Sequence, residues 1–92
     1  MSSAADAVNL DAKFGKFTKH WSPHIVALMN EFHVKAVKVK DEFVWHQRDD
    51  IDKLFFVYKG LLTIKYEDRD VTVKAGEMHV VPKGVQHKPV AA

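Results

Sequence analysis

The spacing of apolar residues changes at Pro23, and with it the kind of element that the chain predicts. Before Pro23, four large apolar side chains are separated by four, three and four positions, which is the spacing of one stripe along a helix. These residues are Leu10, Phe14, Phe17 and Trp21. Asn9 can accept a hydrogen bond from the first turn of such a helix. The pattern therefore predicts one short helix between Asn9 and Pro23, preceded by a frayed end at residues 1–7.

After Pro23, apolar and polar residues alternate with a period of two, and many of the apolar ones are Val, Ile, Phe, Tyr and Trp. Alternation of this kind is typical of strands that bury one face. The pattern predicts about eight short strands. They span residues 25–29, 32–39, 43–46, 54–58, 61–66, 71–74, 78–81 and 86–90. In the second of them the apolar phase slips, which predicts a β-bulge near Ala36.

Short turns separate the predicted strands, as at Lys59-Gly60, Ala75-Gly76 and Pro82-Lys83-Gly84. Connections of this length favour antiparallel pairing of consecutive strands. Many short strands behind one short N-terminal helix indicate an all-β fold, a small antiparallel β-barrel or jelly roll, as a single domain over residues 8–92.

The composition of the 92 residues, 47% hydrophobic and 28% charged, is that of one folded domain. The 14 Lys and Arg residues exceed the 12 Asp and Glu residues by only two charges, which is too few to argue for nucleic acid as a partner. The lack of cysteine excludes disulfides, thiolate zinc sites and thiol catalysis. Because the apolar runs are short and the N-terminus lacks the pattern of a signal peptide, we expect no membrane association and a cytoplasmic location.

Six histidines raise the question of a metal site. His20 and His24 are four residues apart, but Pro23 between them interrupts any shared helical face. His33 alternates with apolar neighbours and is expected to face solvent. These three histidines are therefore interpreted as surface residues.

The remaining candidates lie in two motifs. Residues 76–87 read GEMHVVPKGVQH, which is glycine, five residues, proline, one residue, glycine, two residues and histidine. This spacing resembles the second motif of the cupins, in which Pro82 and Gly84 form a tight turn and the next strand presents His87 to the interior of a barrel. The segment that begins at His46 is similar to the first cupin motif. The resemblance covers nearly the whole chain and implies a small single-domain cupin.

In cupins that bind metal, two histidines and a glutamate of the first motif join the histidine of the second around a divalent iron, manganese, nickel or zinc ion. His46 and His87 match the first and last of these ligands. Arg48 stands at the second histidine and Lys53 at the glutamate, and neither cation replaces the missing ligand. The resemblance therefore implies a degenerate site that binds no metal or binds one weakly. One metal set stays open: His46 and His87 with Asp52, if the loop shifts by one residue.

The same region suggests non-catalytic binding of a small anionic ligand in the barrel. Arg48 can bind a carboxylate or phosphate through two hydrogen bonds, and Lys53 adds a second positive charge. Trp45 offers an aromatic surface, and His46 and His87 complete the candidate ligand-binding set. Alternatively, the two cations simply pair with neighbouring aspartates in a solvated loop.

The alternative function is a metal-dependent cupin enzyme, of the dioxygenase or of the sugar or keto-acid isomerase type. It needs a metal at His46, His87 and Asp52, with His79 as a further candidate if its strand phase turns it inward. Either of the first two histidines can also act as a metal-free general base. The catalytic residues and the substrate stay open. A nucleic-acid-binding barrel is disfavoured because the cupin turn motif has no place in an OB fold.

Two further expectations follow from the resemblance. Small cupins usually continue with another strand beyond the position of Ala92, so we expect an open sheet edge there and a homodimer that covers it. Asp41 and Arg69 stand where cupins of this kind commonly have glycine, which predicts a left-handed backbone at both positions.

Overall fold

The computed structural model describes residues 6–91. The frayed end expected at residues 1–7 lies mostly outside the described residues, and Asp6 and Ala7 carry no regular secondary structure. The chain folds as two compact units, Met1–Val39 and Lys40–Ala92. In the part of the chain that the structure describes, no helix is long and apolar enough to cross a membrane.

The first unit begins with helix α1, Leu10–Phe14. Asn9 caps it as predicted, since its side-chain oxygen accepts a hydrogen bond from the backbone N–H of Ala12 at 3.0 Å. The helix ends at Gly15, well before the end of the apolar stripe. Trp21 adopts a φ of 55°, which a right-handed helix excludes, so the stripe does not continue as one helix.

The strands of the first unit are β1 (His24–Met29) and β2 (Phe32–Ala36), which form an antiparallel hairpin. Asn30 takes the left-handed position in its turn, with a φ of 54°. The register shifts between Ile25 and Ala27, so the irregularity lies in β1. The bulge predicted near Ala36 is therefore present in this hairpin, but on the opposite strand.

The second unit contains five strands in two sheets. They are β3 (Lys53–Phe56), β4 (Leu61–Lys65), β5 (Asp70–Lys74), β6 (Met78–Val81) and β7 (Lys88–Ala91). One sheet is the antiparallel pair β3-β6, and the other has the antiparallel order β5-β4-β7. Consecutive strands pair at β4 and β5 as predicted, but β3 pairs with β6 and not with β4.

Alternate side chains of these strands build the core of the second unit. The buried cluster consists of Val57, Leu62, Ile64, Val73 and Val81. Leu62 and Ile64 point inward from β4. Tyr66, two residues after Ile64, has the same phase and packs against the same cluster. The alternation along β4 therefore places the side chain of Tyr66 on the same inner face as Ile64.

The predicted strand at 43–46 is not a continuous strand. Isolated bridges at its two ends join Glu42 to Val90 of β7 and His46 to His87, the residue before β7. With β4 on its other side, β7 has backbone partners on both edges over part of its length.

The two positions predicted to be left-handed behave differently. Asp41 has a φ of 58°, as expected. Arg69 is not among the described non-glycine residues with positive φ, so that prediction is wrong. Its carbonyl accepts a hydrogen bond from the N–H of Tyr66 at 2.8 Å, which closes the β4–β5 turn in another conformation.

Candidate functional site

His46 and His87 face each other across a short antiparallel contact. Each backbone N–H donates to the other residue's carbonyl at 2.9 Å, so the two residues form a hydrogen-bonded pair. Gly84, with a φ of 77°, makes the turn before His87. The imidazole rings lie 4.2 Å apart between centroids and are tilted by 56°. The structure thus brings together the two histidines that the motifs indicate.

The two imidazoles also have the same local hydrogen bond. Nδ1 of His87 donates to the carbonyl of Val85 at 3.0 Å, and Nδ1 of His46 donates to the carbonyl of Val44 at 3.1 Å. A carbonyl oxygen can only accept, so Nδ1 carries the proton in both rings. In the neutral rings, Nε2 is then the atom with the available lone pair.

Nε2 of His87 has no hydrogen-bond partner among residues 6–91, although the residue is only 1% exposed. Burial lowers the pKa of His87 below its usual value, and the charges of His46, Lys53 and His79 lower it further against the opposing effect of the Val85 carbonyl. His87 is therefore a neutral imidazole at pH 7, with an unsatisfied acceptor in the interior of the second unit.

Lys53 is the cation that the structure places beside this pair. It is half-buried at the start of β3, and its Nζ lies 5.0 Å from the centroid of the Phe55 ring. The Phe55 ring in turn meets the His87 ring edge to face at 6.1 Å. The ammonium and the imidazole thus contact the same aromatic side chain, which agrees with the effect of Lys53 on the pKa of His87.

Arg48 and Trp45 are placed differently from the histidine pair. Arg48 is exposed, and its Nε lies 3.6 Å from a carboxylate oxygen of Asp50, which is the loop ion pair considered as the alternative interpretation. Trp45 is 42% exposed, with Nζ of Lys88 5.7 Å from its ring centroid. Both side chains lie on the surface.

Asp52, the remaining candidate metal ligand, accepts a hydrogen bond from the backbone N–H of Lys83 at 2.9 Å. It does not form a three-ligand group with His46 and His87, and within residues 6–91 no three His, Asp or Glu side chains are arranged to hold a metal. Two imidazoles beside the ammonium of Lys53 lack the carboxylate that a divalent cation prefers in such a site. The donor set does not fit a tightly bound metal ion.

A second polar pair in this unit was missed by the sequence analysis. The hydroxyl of Tyr66 and Nε2 of His79 are 2.6 Å apart, and the rings lie edge to face at 5.8 Å. They line a cavity of about 280 Å³ together with Asp68, Arg69, Val80, Pro82 and Val85. Burial raises the pKa of Tyr66, and the charge of Arg69 opposes this effect. The alternation of apolar and polar residues along β4 and β6 places Tyr66 and His79 on the inner faces of their sheets. This alternation was the signal in the sequence that could have predicted the pair.

Residues 33–92 match the family model for the Cupin domain. This chain belongs to the cupin family. It is similar to a solved cupin-2 domain containing protein from Shewanella frigidimarina NCIMB 400, with 50% sequence identity and a TM-score of 0.90 over 91% of this chain and 82% of that chain. It is also similar to protein NMB1881 from Neisseria meningitidis, with 30% identity and a TM-score of 0.85 over 94% of this chain and 88% of that chain.

A further relative of this cupin is the uncharacterized protein YdbB of Bacillus subtilis (strain 168). The two are 33% identical over 64 residues, which is 68% of this chain. The chain spans 57% of the length of YdbB. The family resemblance and the all-β cupin fold expected from the two motifs are confirmed.

Proposed function

We propose that this cupin domain binds a small organic anion that also carries a hydroxyl or N–H group, at the site formed by His46, Lys53 and His87. The observation that supports this most directly is the buried Nε2 of His87, which has no hydrogen-bond partner among the described residues. Buried polar atoms are nearly always paired in folded proteins, and a ligand donor supplies the missing partner. The proposed activity is binding without catalysis and without a tightly held metal.

Each side chain of the proposed site recognises a different group of the ligand. The neutral imidazole of His87 accepts a hydrogen bond from the ligand hydroxyl or N–H, because its Nδ1 is already used on Val85. Lys53 attracts the carboxylate of the ligand, while Phe55 offers the apolar contact. The proposal assigns the charge to Lys53, because its ammonium and the His87 ring contact the same Phe55 side chain, whereas Arg48 is exposed.

The test compares pairs of acids that differ in one hydroxyl: lactate with propionate, and malate with succinate. We expect the hydroxy acids to raise the melting temperature, because a ligand at about 100 times its Kd stabilises the folded state by about 2.7 kcal/mol. Lys53→Met should remove the effect, and Arg48→Met is the matched control that should retain it. Equal responses of the two variants would contradict the assignment.

Metal analysis of tag-free protein provides the second arm of this test. The alternative function, a metal-dependent dioxygenase or isomerase, needs a metal that stays bound through purification. We expect substoichiometric iron, manganese, nickel and zinc. One tightly bound ion per chain would favour the enzyme over the binding protein.

We also propose that the protein forms a homodimer through exposed apolar strand faces. On the β3-β6 pair, Leu54 lies opposite Val80 and Phe56 opposite Met78, and all four side chains are exposed. The β1-β2 hairpin exposes five more large apolar residues: Ile25, Leu28, Met29, Phe32 and Val34. Large apolar side chains exposed side by side on one strand pair are typical of a surface that a partner covers. A second copy, related by a two-fold axis, offers the same faces in return.

A further inference from the structure

The segment from Lys13 to His24 is the most basic part of the first unit. Its 12 residues contain three lysines and two histidines but no Asp or Glu. It begins in helix α1 and ends at the first residue of β1. The local sequence thus places cations beside each other without acidic neighbours, which is the pattern of a surface that attracts anions.

Part of this segment lines a cavity of about 200 Å³. The lining residues are Lys13, Lys16, Phe17, His24, Ile25 and Val26. Two cations and an imidazole therefore share one concave surface with three apolar side chains. Sites for drug-sized ligands have volumes of roughly 300–1,000 Å³, so this cavity suits a smaller group.

His24 lines this cavity, and its Nε2 is a buried atom without a hydrogen-bond partner among residues 6–91. The ring is held in place, because it stacks on Phe17 at 3.9 Å between centroids with an interplanar angle of 24°. Phe17 is held in turn by Lys38, whose Nζ binds the Phe17 carbonyl and lies 5.2 Å from its ring centroid. A fixed, unsatisfied polar atom is an observation independent of the lysines, and it points to a missing partner.

Neither lysine of the cavity has an ion pair with a carboxylate in the described part of the chain. Within residues 6–91, the positive charges of Lys13 and Lys16 are therefore not paired with a carboxylate. An anion that enters the cavity meets residues Lys13, Lys16 and His24 without displacing a carboxylate from either lysine.

We propose that this cavity is a phosphate-binding site, in which Lys13 and Lys16 contact the phosphate oxygens and Nε2 of His24 completes the hydrogen bonding. Hydrogen phosphate can accept a hydrogen bond from a protonated Nε2 or donate one to its lone pair, so it satisfies the nitrogen in either protonation state. The ligand class is a phosphate group, free or as part of a small phosphorylated molecule.

This site is separate from the site of the proposed function. Its residues lie between positions 13 and 26, before residue 33, where the match to the Cupin domain begins. It shares no residue with the set of His46, Lys53 and His87. Failure of one proposal therefore leaves the other standing.

The first test titrates the full chain with inorganic phosphate and follows the imidazole signals of His24 by NMR. We expect a saturable shift of these signals. Lys13→Gln with Lys16→Gln should weaken the apparent affinity at least tenfold. The matched control, Lys19→Gln with Lys35→Gln, removes the same charge from exposed positions outside the cavity and should stay within twofold of the unmodified protein.

Several results would overturn the site. They are unchanged His24 signals at saturating phosphate, equal weakening by the two double variants, or loss of binding in Lys53→Met. Glycerol 3-phosphate and a short single-stranded oligonucleotide distinguish the sources of the phosphate group. A monoester that competes with inorganic phosphate supports the proposal, whereas an oligonucleotide that binds equally through Lys19 and Lys35 contradicts a cavity site.

Discussion

The hydroxyl of Tyr66 lies 2.6 Å from Nε2 of His79, and the bond joins the end of β4 to the middle of β6. These strands belong to different sheets of the second unit. The bond is partly buried, so removal of one group leaves the other without its side-chain partner. A single side-chain pair thus connects the two sheets at the rim of a cavity.

Removing this hydroxyl should destabilise the domain and change its alkaline titration. Tyr66→Phe leaves Nε2 of His79 without its partner, and we expect a loss of about 1 kcal/mol in the free energy of unfolding. Denaturant unfolding at neutral pH measures the loss. As a control, Tyr58→Phe removes the hydroxyl of the other tyrosine and leaves the bond between Tyr66 and His79 in place. An equal loss in both variants would contradict a specific role of the bond.

The raised pKa of Tyr66 has a defined consequence at high pH. The folded protein holds the phenolic proton more tightly than the unfolded chain, whose pKa is near 10. The free energy of unfolding should therefore fall as the pH rises above about 10, and Tyr66→Phe should remove this part of the decline. Absorbance titration of Tyr58→Phe, in which Tyr66 is the remaining tyrosine, should show a midpoint above pH 10. A midpoint at or below 10 in that variant would contradict this prediction.

The pKa of His87 is lowered, whereas that of Tyr66 is raised, so His87 should make the free energy of unfolding depend on pH on the acid side. Burial lowers its pKa, so the unfolded chain binds the proton first as the pH falls below about 6.5. The free energy of unfolding should then decrease between pH 6.5 and the folded-state pKa. NMR titration of the imidazole measures this directly, and we expect a midpoint below 6.5. A midpoint above that value would show that the ring is not desolvated.

The backbone at Asp41 and Arg69 offers a paired test of local strain. Asp41 is left-handed and Arg69 is not. At position 41 we expect the glycine variant to be more stable than the alanine variant by about 1 kcal/mol, because a Cβ is unfavourable in this region. At position 69 the order should be reversed, since glycine only adds freedom to the unfolded chain. Thermal unfolding of the four variants decides both orders.

The proposed dimer predicts the effect of charge on the apolar faces. Met78→Glu, on the outer face of β6, should weaken self-association at least tenfold because it buries an unpaired carboxylate in the interface. Thr72→Glu is the control, since Thr72 is exposed on the other sheet. Sedimentation at micromolar concentration measures the change. A protein that is monomeric without any substitution would refute the dimer.

Local sequence patterns were sufficient to predict the features that depend on residues close together in the chain. The N-cap at Asn9 follows from the helix stripe, and the turn before His87 follows from the spacing of Pro82 and Gly84. Most strand positions follow from the period of two. Such features depend on backbone sterics and on local hydrogen bonds, which the identity of adjacent residues largely determines.

Other features depend on partners that are distant along the chain. The sequence could not show that 43–46 would attach to β7 by single bridges, that β3 would pair with β6, or that Tyr66 would meet His79. It also left Arg48 and Lys53 equivalent, whereas the structure pairs Arg48 with Asp50 and sets Lys53 beside Phe55.

The sequence by itself thus determined the family, the strand-rich fold and the two histidines of the motifs, because these depend on residue spacing. Only the tertiary structure decided which cation accompanies His87, which polar pairs cross the sheets and which nitrogen atoms stay without a partner. Those outcomes depend on burial and on distances between remote segments, and they arise when the sheets pack against each other.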